Sequence, residues 1–150
     1  MDVIAYLIKI LPARPAFAHC DIPCGIYDPQ AAQLAAKTVL KMVQKINEEP
    51  LPENGRPEVI KESVVRYENA VGRYVFTKEA HAEICKKEIL ILWTDYFKTE
   101  HLEKFPDLHE LVWKTAKLCS ANKRAVDEAK ANELIASVDK IAEIFNQTKK

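Results

Sequence analysis

The chain has 150 residues, the usual length of one globular domain. Its 22 basic and 22 acidic side chains cancel, so charge does not indicate a nucleic-acid partner, and no apolar stretch approaches the ~20 residues of a membrane span. Three glycines are few for a barrel rich in turns, and abundant Ala, Leu, Glu and Lys favour helices.

The first eighteen residues form a segment of their own. Val3–Leu11 is apolar but interrupted by Lys9, and two prolines follow without helical period. Ala16-Phe17-Ala18 has the small-x-small form of a processing site, whereas Asp2 stands where an export signal carries positive charge. We predict that a protease removes residues 1–18 as a leader from a cytoplasmic protein. Export and a tail that is never cut are the alternatives.

The first helix is predicted to begin at Asp28 and Pro29, the N-cap and the first helical residue. Apolar residues follow at spacings of 4, 3, 4 and 3 and predict its buried face: Ala32, Ala36, Val39, Val43 and Ile46. A proline-rich loop at 50–57 should end it.

One long helix is predicted from Glu58 to Lys98, and a break near Gly72 is the alternative. Its apolar positions are Val64, Tyr67, Val71, Tyr74 and Val75, and less regularly Ile84, Glu88, Ile91 and Leu92. A third helix after Pro106 should bury Leu108, Leu111, Val112, Thr115 and Leu118. A fourth from about Ala125 to Phe145 should bury Leu134, Ile135, Val138, Ile141 and Phe145.

These elements predict an all-α fold, an up-down antiparallel four-helix bundle within residues 19–150. Cys85 and Cys119 fall inside the helical patterns, and we interpret them as small buried hydrophobes.

An imidazole and two thiols lie within six residues just before the first helix. The segment, which we call the hook, is His19-Cys20-Asp21-Ile22-Pro23-Cys24-Gly25-Ile26-Tyr27. Pro23 stiffens this turn and Gly25 permits unusual dihedral angles. The cysteines could instead be idle, disulfide-bonded or half of a zinc site. Zinc usually takes a second pair of ligands, and Cys85 and Cys119 are not spaced as a pair.

Cleavage between Ala18 and His19 would give His19 a free α-amine. That amine, the Cys20 backbone nitrogen and the thiolates of Cys20 and Cys24 can form a planar set of two nitrogens and two sulfurs. Square-planar coordination by such donors indicates Ni(II) or Cu(II) rather than zinc. The leader then has a chemical purpose, because an amide nitrogen at His19 is a poor metal donor.

Residues 19–29 resemble the N-terminal nickel hook of the nickel superoxide dismutases. They match every fixed position of His-Cys-Asp-x-Pro-Cys-Gly-x-Tyr-Asp-Pro. Residues 92–98 and 101–109 are also similar to that family, whereas residues 48–72 are not recognisable beyond their helical character.

The resemblance implies a superoxide dismutase that is a homohexamer of four-helix bundles with one nickel per subunit. Nickel would cycle between the 2+ and 3+ states, oxidising one superoxide to O2 and reducing the next to H2O2. The His19 amine, the Cys20 amide nitrogen and the Cys20 and Cys24 sulfurs would be equatorial ligands. The His19 imidazole would bind axially in the oxidised state.

The resemblance also implies the surroundings of the metal. Tyr27 would cap the site, and Tyr96 is either a second residue of that pocket or a core aromatic. Asp21 would form a salt bridge with Lys123, and Lys98 is a further cation near the entry, where positive charge would attract the superoxide anion.

Some relatives support the axial imidazole with a glutamate and an arginine, at positions that here hold Ala35 and His81. His81 either takes part of that role or is a surface histidine. His101 and His109, on either side of Pro106, are interpreted as capping or packing residues.

Two other functional classes fit the same donors. A nickel or copper carrier could use the N-terminal ligands without an aromatic cap, and a structural bundle could carry an inert tail. Tyr27 and the second matching block favour the enzyme, and an assay of superoxide disproportionation with and without nickel would separate the three.

Overall fold

The structure, a computed structural model, describes residues 26–149. These residues form five α-helices and no strand. The helices are α1 (Gln30–Glu48), α2 (Pro57–Ile91), α3 (Thr99–Lys104), α4 (Leu108–Arg124) and α5 (Glu128–Thr148), and a π-helical segment at Leu92–Tyr96 continues α2. Within this part of the chain no helix is long and apolar enough to cross a membrane.

The four long helices form an antiparallel bundle, as predicted. Gln33 and Gln44 of α1 reach Asp139 and Glu128 of α5, so the two helices run in opposite directions. On α2, Lys78 contacts the end of α4 and Trp93, just beyond α2, contacts its start. Each long helix therefore packs against two neighbours, in the circular order α1, α2, α4, α5.

Helix α1 starts one residue later than predicted. The Gln30 backbone N–H donates to Asp28 Oδ1 at 2.7 Å, which stabilises the first turn. The predicted seam is confirmed at Ala32, Ala36, Val39 and Val43, joined by Ala35, while Ile46 is half-buried. Three alanines on the seam let α1 lie close to its neighbours.

Helix α2 is one long helix, as predicted, and it passes through Gly72 without a break, because one glycine costs a helix only about 1 kcal/mol. It differs from its prediction at its C-terminal end and on its buried face. It ends at Ile91, where the π-helical turn begins, rather than at Lys98. Its buried face in the bundle was predicted only in part: Leu92 is buried, but Ile84 is 43% exposed, and the other buried residues there are Lys78, Ala82, Cys85 and Ile89.

Lys78 is the most unusual member of the core, with 1% of its surface exposed. Its ammonium donates to the carbonyl oxygens of Asn122, Lys123 (2.9 Å) and Ala125 (3.0 Å). These carbonyls end α4 and have no helical partners, so the lysine acts as a buried C-terminal cap. Desolvation lowers the pKa of Lys78 below its ordinary value.

Helices α4 and α5 confirm most of the predicted seams. Leu108, Val112 and Thr115 are buried on α4. On α5 the buried residues include Leu134, Val138, Ile141 and Phe145. Leu111, Leu118 and Ile135 are only half-buried, because they lie at the edges of these faces. Helix α5 begins at Glu128 rather than Ala125, and Asp127 caps it by accepting from the Lys130 N–H at 3.0 Å.

Candidate metal centre

The predicted metal ligands precede the described part of the chain. His19, Cys20, Asp21, Pro23 and Cys24 all lie outside residues 26–149. The structure shows where the hook joins the bundle: Ile26 and Tyr27 lead directly into α1. The surroundings of that junction are therefore the described portion of the site.

The two predicted pocket tyrosines come together at this junction. The ring centroids of Tyr27 and Tyr96 are 5.7 Å apart with their planes tilted by 56°. Tyr96 also packs on Phe145 (4.4 Å), Phe97 (5.3 Å) and His101 (5.7 Å). Such a cluster is rigid and holds the Tyr27 ring against one end of the bundle.

The hydroxyl of Tyr96 is within 2.8 Å of the Thr148 hydroxyl oxygen, which in turn donates to the Phe145 carbonyl oxygen. Tyr96 is thus both a partly buried aromatic with a satisfied hydroxyl and the immediate neighbour of Tyr27. Sequence reasoning missed Thr148, although it continues the α5 seam by three residues beyond Phe145. That spacing was the available signal.

Lys149 is a second residue that sequence reasoning missed. Its ammonium lies 3.4 Å from the Tyr27 carbonyl oxygen and 4.4 Å from the centroid of the Phe145 ring. The cation therefore sits where the hook enters the bundle. A terminal lysine carries no sequence signal for such a position.

A cleft of about 440 Å³ opens beside the junction, between the start of α1 and the end of α2. Its lining residues are Ile26, Tyr27, Asp28, Gln30, Ala31, Glu88, Ile91 and Leu92. Ile26, the first described residue, lines this cleft, which is large enough to receive several side chains.

His81 lies on the face of α2 that is directed towards α1. It is seven residues, or about 10 Å along the helix, from Glu88 in the cleft. Its Nδ1 atom is buried and has no hydrogen-bond partner among the described residues. The His81 side chain as a whole is half-buried, so it is not a fully exposed surface histidine. Ala35, also buried, adds no polar group to this region.

Lys123 lies at the other end of the bundle. Its ammonium is 2.8 Å from Glu83 Oε2, and this hydrogen bond raises the pKa of Lys123 and lowers that of Glu83. Lys78, which holds the Lys123 carbonyl, is fifteen residues from Trp93, a distance of about 22 Å along α2. Lys123 is thus far from Tyr27 of its own chain.

Cys85 and Cys119 are both completely buried, as predicted. A hydrogen bond to Cys119, followed by burial, raises the pKa of the Cys85 thiol well above its ordinary value. A thiol that stays protonated is a poor metal ligand. Residues 26–149 also contain no group of three or more His, Cys, Asp or Glu side chains that could hold a metal ion.

His101 and His109 are capping and packing residues, as predicted. His101 Nδ1 accepts from the Lys98 N–H at 3.1 Å and so caps α3, and its ring stacks on Tyr96. His109 Nδ1 accepts from the Trp93 indole N–H at 3.0 Å. Lys98 is exposed beside this cluster.

Comparison with known proteins decides the family. The family model described as "Nickel-containing superoxide dismutase" matches residues 14–149. The chain belongs to the nickel-containing superoxide dismutase family. It is 38% identical over 144 residues to "Superoxide dismutase [Ni]" of Streptomyces coelicolor, covering 93% of this chain and 94% of the relative. The protein of the same name from Streptomyces seoulensis is 37% identical over 142 residues, with the same coverage.

Solved structures of nickel superoxide dismutase share the fold. The native structure is 36% identical, with a TM-score of 0.69 over 88% of this chain and all of the other. A structure with nickel ligation corresponding to the oxidised state is 34% identical, with a TM-score of 0.70 over 87% of this chain and 98% of the other. The predicted family, fold class and bundle are therefore confirmed.

Proposed function

We infer that this chain is a nickel-dependent superoxide dismutase whose metal is held by the hook. The reaction consumes two superoxide anions and two protons and releases O2 and H2O2. Membership of the nickel-containing family carries this conclusion, since the matched region spans residues 14–149 and includes the hook. Nickel held by the hook would supply the redox couple that both half-reactions need. A carrier using the same donors is the weaker alternative, because it would not require membership of an enzyme family.

The donors that we propose are the His19 amine and imidazole, the Cys20 backbone nitrogen, and the sulfurs of Cys20 and Cys24. Their chemistry fits nickel, because thiolates and nitrogen donors in a plane suit Ni(II). The other two cysteines support this assignment indirectly. Cys85 and Cys119 are buried against each other, and burial and their hydrogen bond keep the Cys85 thiol protonated.

The aromatic pair at the junction would shield the metal. Tyr27 follows Cys24 by three residues, and contact with Tyr96 fixes its ring. We propose that Tyr27 limits access to the site and orders water there, and that Tyr96 acts through Tyr27 as a positioning residue. Pro23 would set the turn that brings the two cysteines together.

The cations at this end of the bundle suit an anionic substrate. Lys149 lies against the Tyr27 carbonyl oxygen and Lys98 is exposed near the same cluster. Positive charge at the entry raises the local concentration of superoxide and its rate of encounter. We propose that His81, with its buried Nδ1 unpartnered among residues 26–149, supports the axial imidazole in the absence of a polar group at Ala35.

Removal of residues 1–18 completes the donor set in this proposal, because it creates the α-amine of His19. We propose that a leader-processing protease makes this cut and that the protein is cytoplasmic, and both proposals rest on the leader sequence alone. The α-amine requirement makes the mature N-terminus the most informative property of the enzyme.

The proposed partner of Asp21 argues for an oligomer. Lys123 lies about 22 Å along the bundle from the level of Trp93, so it is remote from Tyr27, the described end of the hook in its own chain. We propose that a salt bridge between Asp21 and Lys123 joins two subunits. We propose the homohexamer of the resembling family as the assembly in which this contact forms.

The test is purification of the processed chain with and without nickel, followed by stopped-flow measurement of superoxide decay. Catalysis that requires one nickel per chain supports the proposal. Equal catalysis by nickel-free protein, or nickel binding without catalysis, would contradict it, and the second result would favour a carrier. Sedimentation velocity on the same sample tests the hexamer.

A further inference from the structure

Helix α2 extends well beyond the bundle at its N-terminal end. Lys78 is level with the end of α4, and the ammonium of Lys45 near the end of α1 lies 5.4 Å from the centroid of the Tyr74 ring. The stretch from Pro57 to about Tyr74 therefore has no helix beside it within residues 26–149. At 1.5 Å per residue it is roughly 25 Å long.

One flank of this extension is covered by the loop that joins α1 to α2. The Glu53 N–H donates to Ser63 Oγ at 3.1 Å, and the Glu53 carboxylate pairs with Arg66 at 3.3 Å. Ser63 is only 4% exposed as a result. The loop runs back along the same side of α2 that α1 occupies within the bundle.

The opposite flank is open, and it is the flank on which α4 packs within the bundle. Lys86 marks that flank through its contact with Ser120 of α4. Residues seven positions apart lie near the same face of a helix. Counting back from Lys86 in sevens leads to Gly72 and Val65. Counting back in sevens from the neighbouring Ala82 leads to Val75, Glu68 and Lys61. Helical periodicity therefore places these residues where α4 would lie if it continued.

The open flank has the composition of a helix-packing surface. Val65 is 59% exposed, and Ile60 at its edge is 40% exposed. A side chain at Gly72 would meet no atom of residues 26–149 within 4 Å, so another backbone can approach closely there. A shallow groove of about 320 Å³ lies on this side of the helix, lined by Glu58, Lys61, Glu62 and Val65.

Two charged residues on the open flank indicate which partner would pack there. Lys61 and Glu68 are seven residues apart on one stripe, and neither forms an ion pair with another residue of the described chain. A second copy packed parallel would place like charges opposite each other. A second copy packed antiparallel places Lys61 opposite Glu68 of the partner subunit, and does so twice.

We propose that residues 57–74 of α2 pair with the same segment of a second copy, antiparallel, about a two-fold axis between Val64 and Val65. In this register Gly72 faces Pro57 of the partner subunit. The partner helix therefore covers the part of α2 along which α4 does not extend. The contact is self-complementary, as a two-fold interface must be. It lies about 40 Å along α2 from Leu92 and is independent of the metal centre.

Charge reversal tests the pairing on the full processed enzyme. Lys61→Glu and Glu68→Lys should each weaken the contact by roughly tenfold or more, because like charges then face each other. The contact is two-fold, so its loss halves the mass of an assembly whose two halves it alone holds together. The double variant Lys61→Glu/Glu68→Lys restores opposite charges and should restore the wild-type mass in sedimentation velocity at low ionic strength.

Matched controls are Glu133→Lys and Lys87→Glu, which change the same charges at exposed positions away from this flank. They should leave the mass unchanged, and superoxide decay should be unaffected in all five variants. An unchanged mass in both single reversals, or a double variant that stays dissociated, would overturn the proposal. Loss of catalysis in a variant whose assembly is intact would contradict the independence of this contact from the metal centre, whereas wild-type protein without catalysis would count against the proposed function alone.

The direction of pairing has its own measurement. Spin labels at Val65→Cys lie next to the proposed axis, whereas labels at Phe76→Cys are on the order of 35 Å apart in an antiparallel pair, from a rise of 1.5 Å per residue. A short distance at position 65 together with a long one at position 76 supports the antiparallel register. Short distances at both positions would overturn it in favour of a parallel pair.

Discussion

Substitution of the buried lysine tests how the bundle holds the end of α4. In Lys78→Met the side-chain volume is nearly conserved, but three carbonyl oxygens, of Asn122, Lys123 and Ala125, lose their donor. Hydrogen bonds to a charged group contribute about 1.5–3 kcal/mol each, and the desolvation that lowers the Lys78 pKa offsets part of that sum. We expect a net loss of about 3 kcal/mol in the free energy of unfolding.

The measurement is urea denaturation followed by circular dichroism, with a thermal scan beside it. For a domain of this size a loss of about 3 kcal/mol lowers Tm by roughly 6–12 °C. Lys86→Met is the control, because Lys86 also lies on α2 but makes only a 3.4 Å contact with Ser120. A Lys78 variant within about 1 kcal/mol of wild type, or one no worse than Lys86→Met, would refute the capping role.

Three further changes address the metal centre and the core. Cys20→Ser and Cys24→Ser should each abolish nickel retention and catalysed superoxide decay while the bundle stays folded, because hydroxyls do not replace thiolates as ligands. Metal analysis and stopped-flow measurement of superoxide decay check this. Full activity in either variant would exclude the proposed donor set. Cys85→Ala should keep activity and lose about 1 kcal/mol at pH 7. That difference should shrink above pH 9.0, the ordinary thiol pKa, by up to about 1.4 kcal/mol per pH unit. Above that pH the Cys85 thiol ionises in the unfolded state but stays protonated in the folded state, so the unfolded state binds fewer protons and the wild-type free energy of unfolding falls. A stability difference between wild type and Cys85→Ala that stays constant with pH in urea titrations would argue against the raised pKa. His19→Gln keeps the α-amine and should retain nickel while turnover falls sharply; metal titration decides this, and loss of all nickel would mean that the imidazole is needed for binding.

The helices could be predicted because each buries one face, which imposes a 3–4 spacing on apolar residues. Val39 and Val43 on α1 and Val138 and Ile141 on α5 follow that spacing and are buried. Within the bundle α2 breaks the rule, because its core face includes Lys78. A buried lysine is compatible with the core only through carbonyl acceptors on another helix, and sequence periodicity contains no information about them.

Apolar spacing was also misleading at exposed positions of α2, as Ile84 and Val65 show. Ile84 is 43% exposed although it fits an apolar pattern. Val65 lies on a flank that no described element covers. Apolar spacing identifies a face that can pack, but whether a neighbour covers that face depends on how far each helix extends.

The candidate site was also predictable from the sequence only in part. The hook could be recognised because its ligands are contiguous and the order of donors is chemically specific. The contact of Tyr27 with Tyr96 and the position of Lys149 depend on the packing of three separate helices. These residues are far apart in the sequence, so their contacts could be learned only from the fold. The same is true of the long distance from Lys123 to Tyr27.

The N-terminus of the active enzyme tests the central claim most directly. Intact-mass analysis of the purified protein, with metal content and superoxide decay measured on the same sample, should show a chain beginning at His19 that carries one nickel. Nickel binding and full catalysis by a homogeneous chain that retains residues 1–18 would contradict the account, because the α-amine of His19 would then not be a ligand.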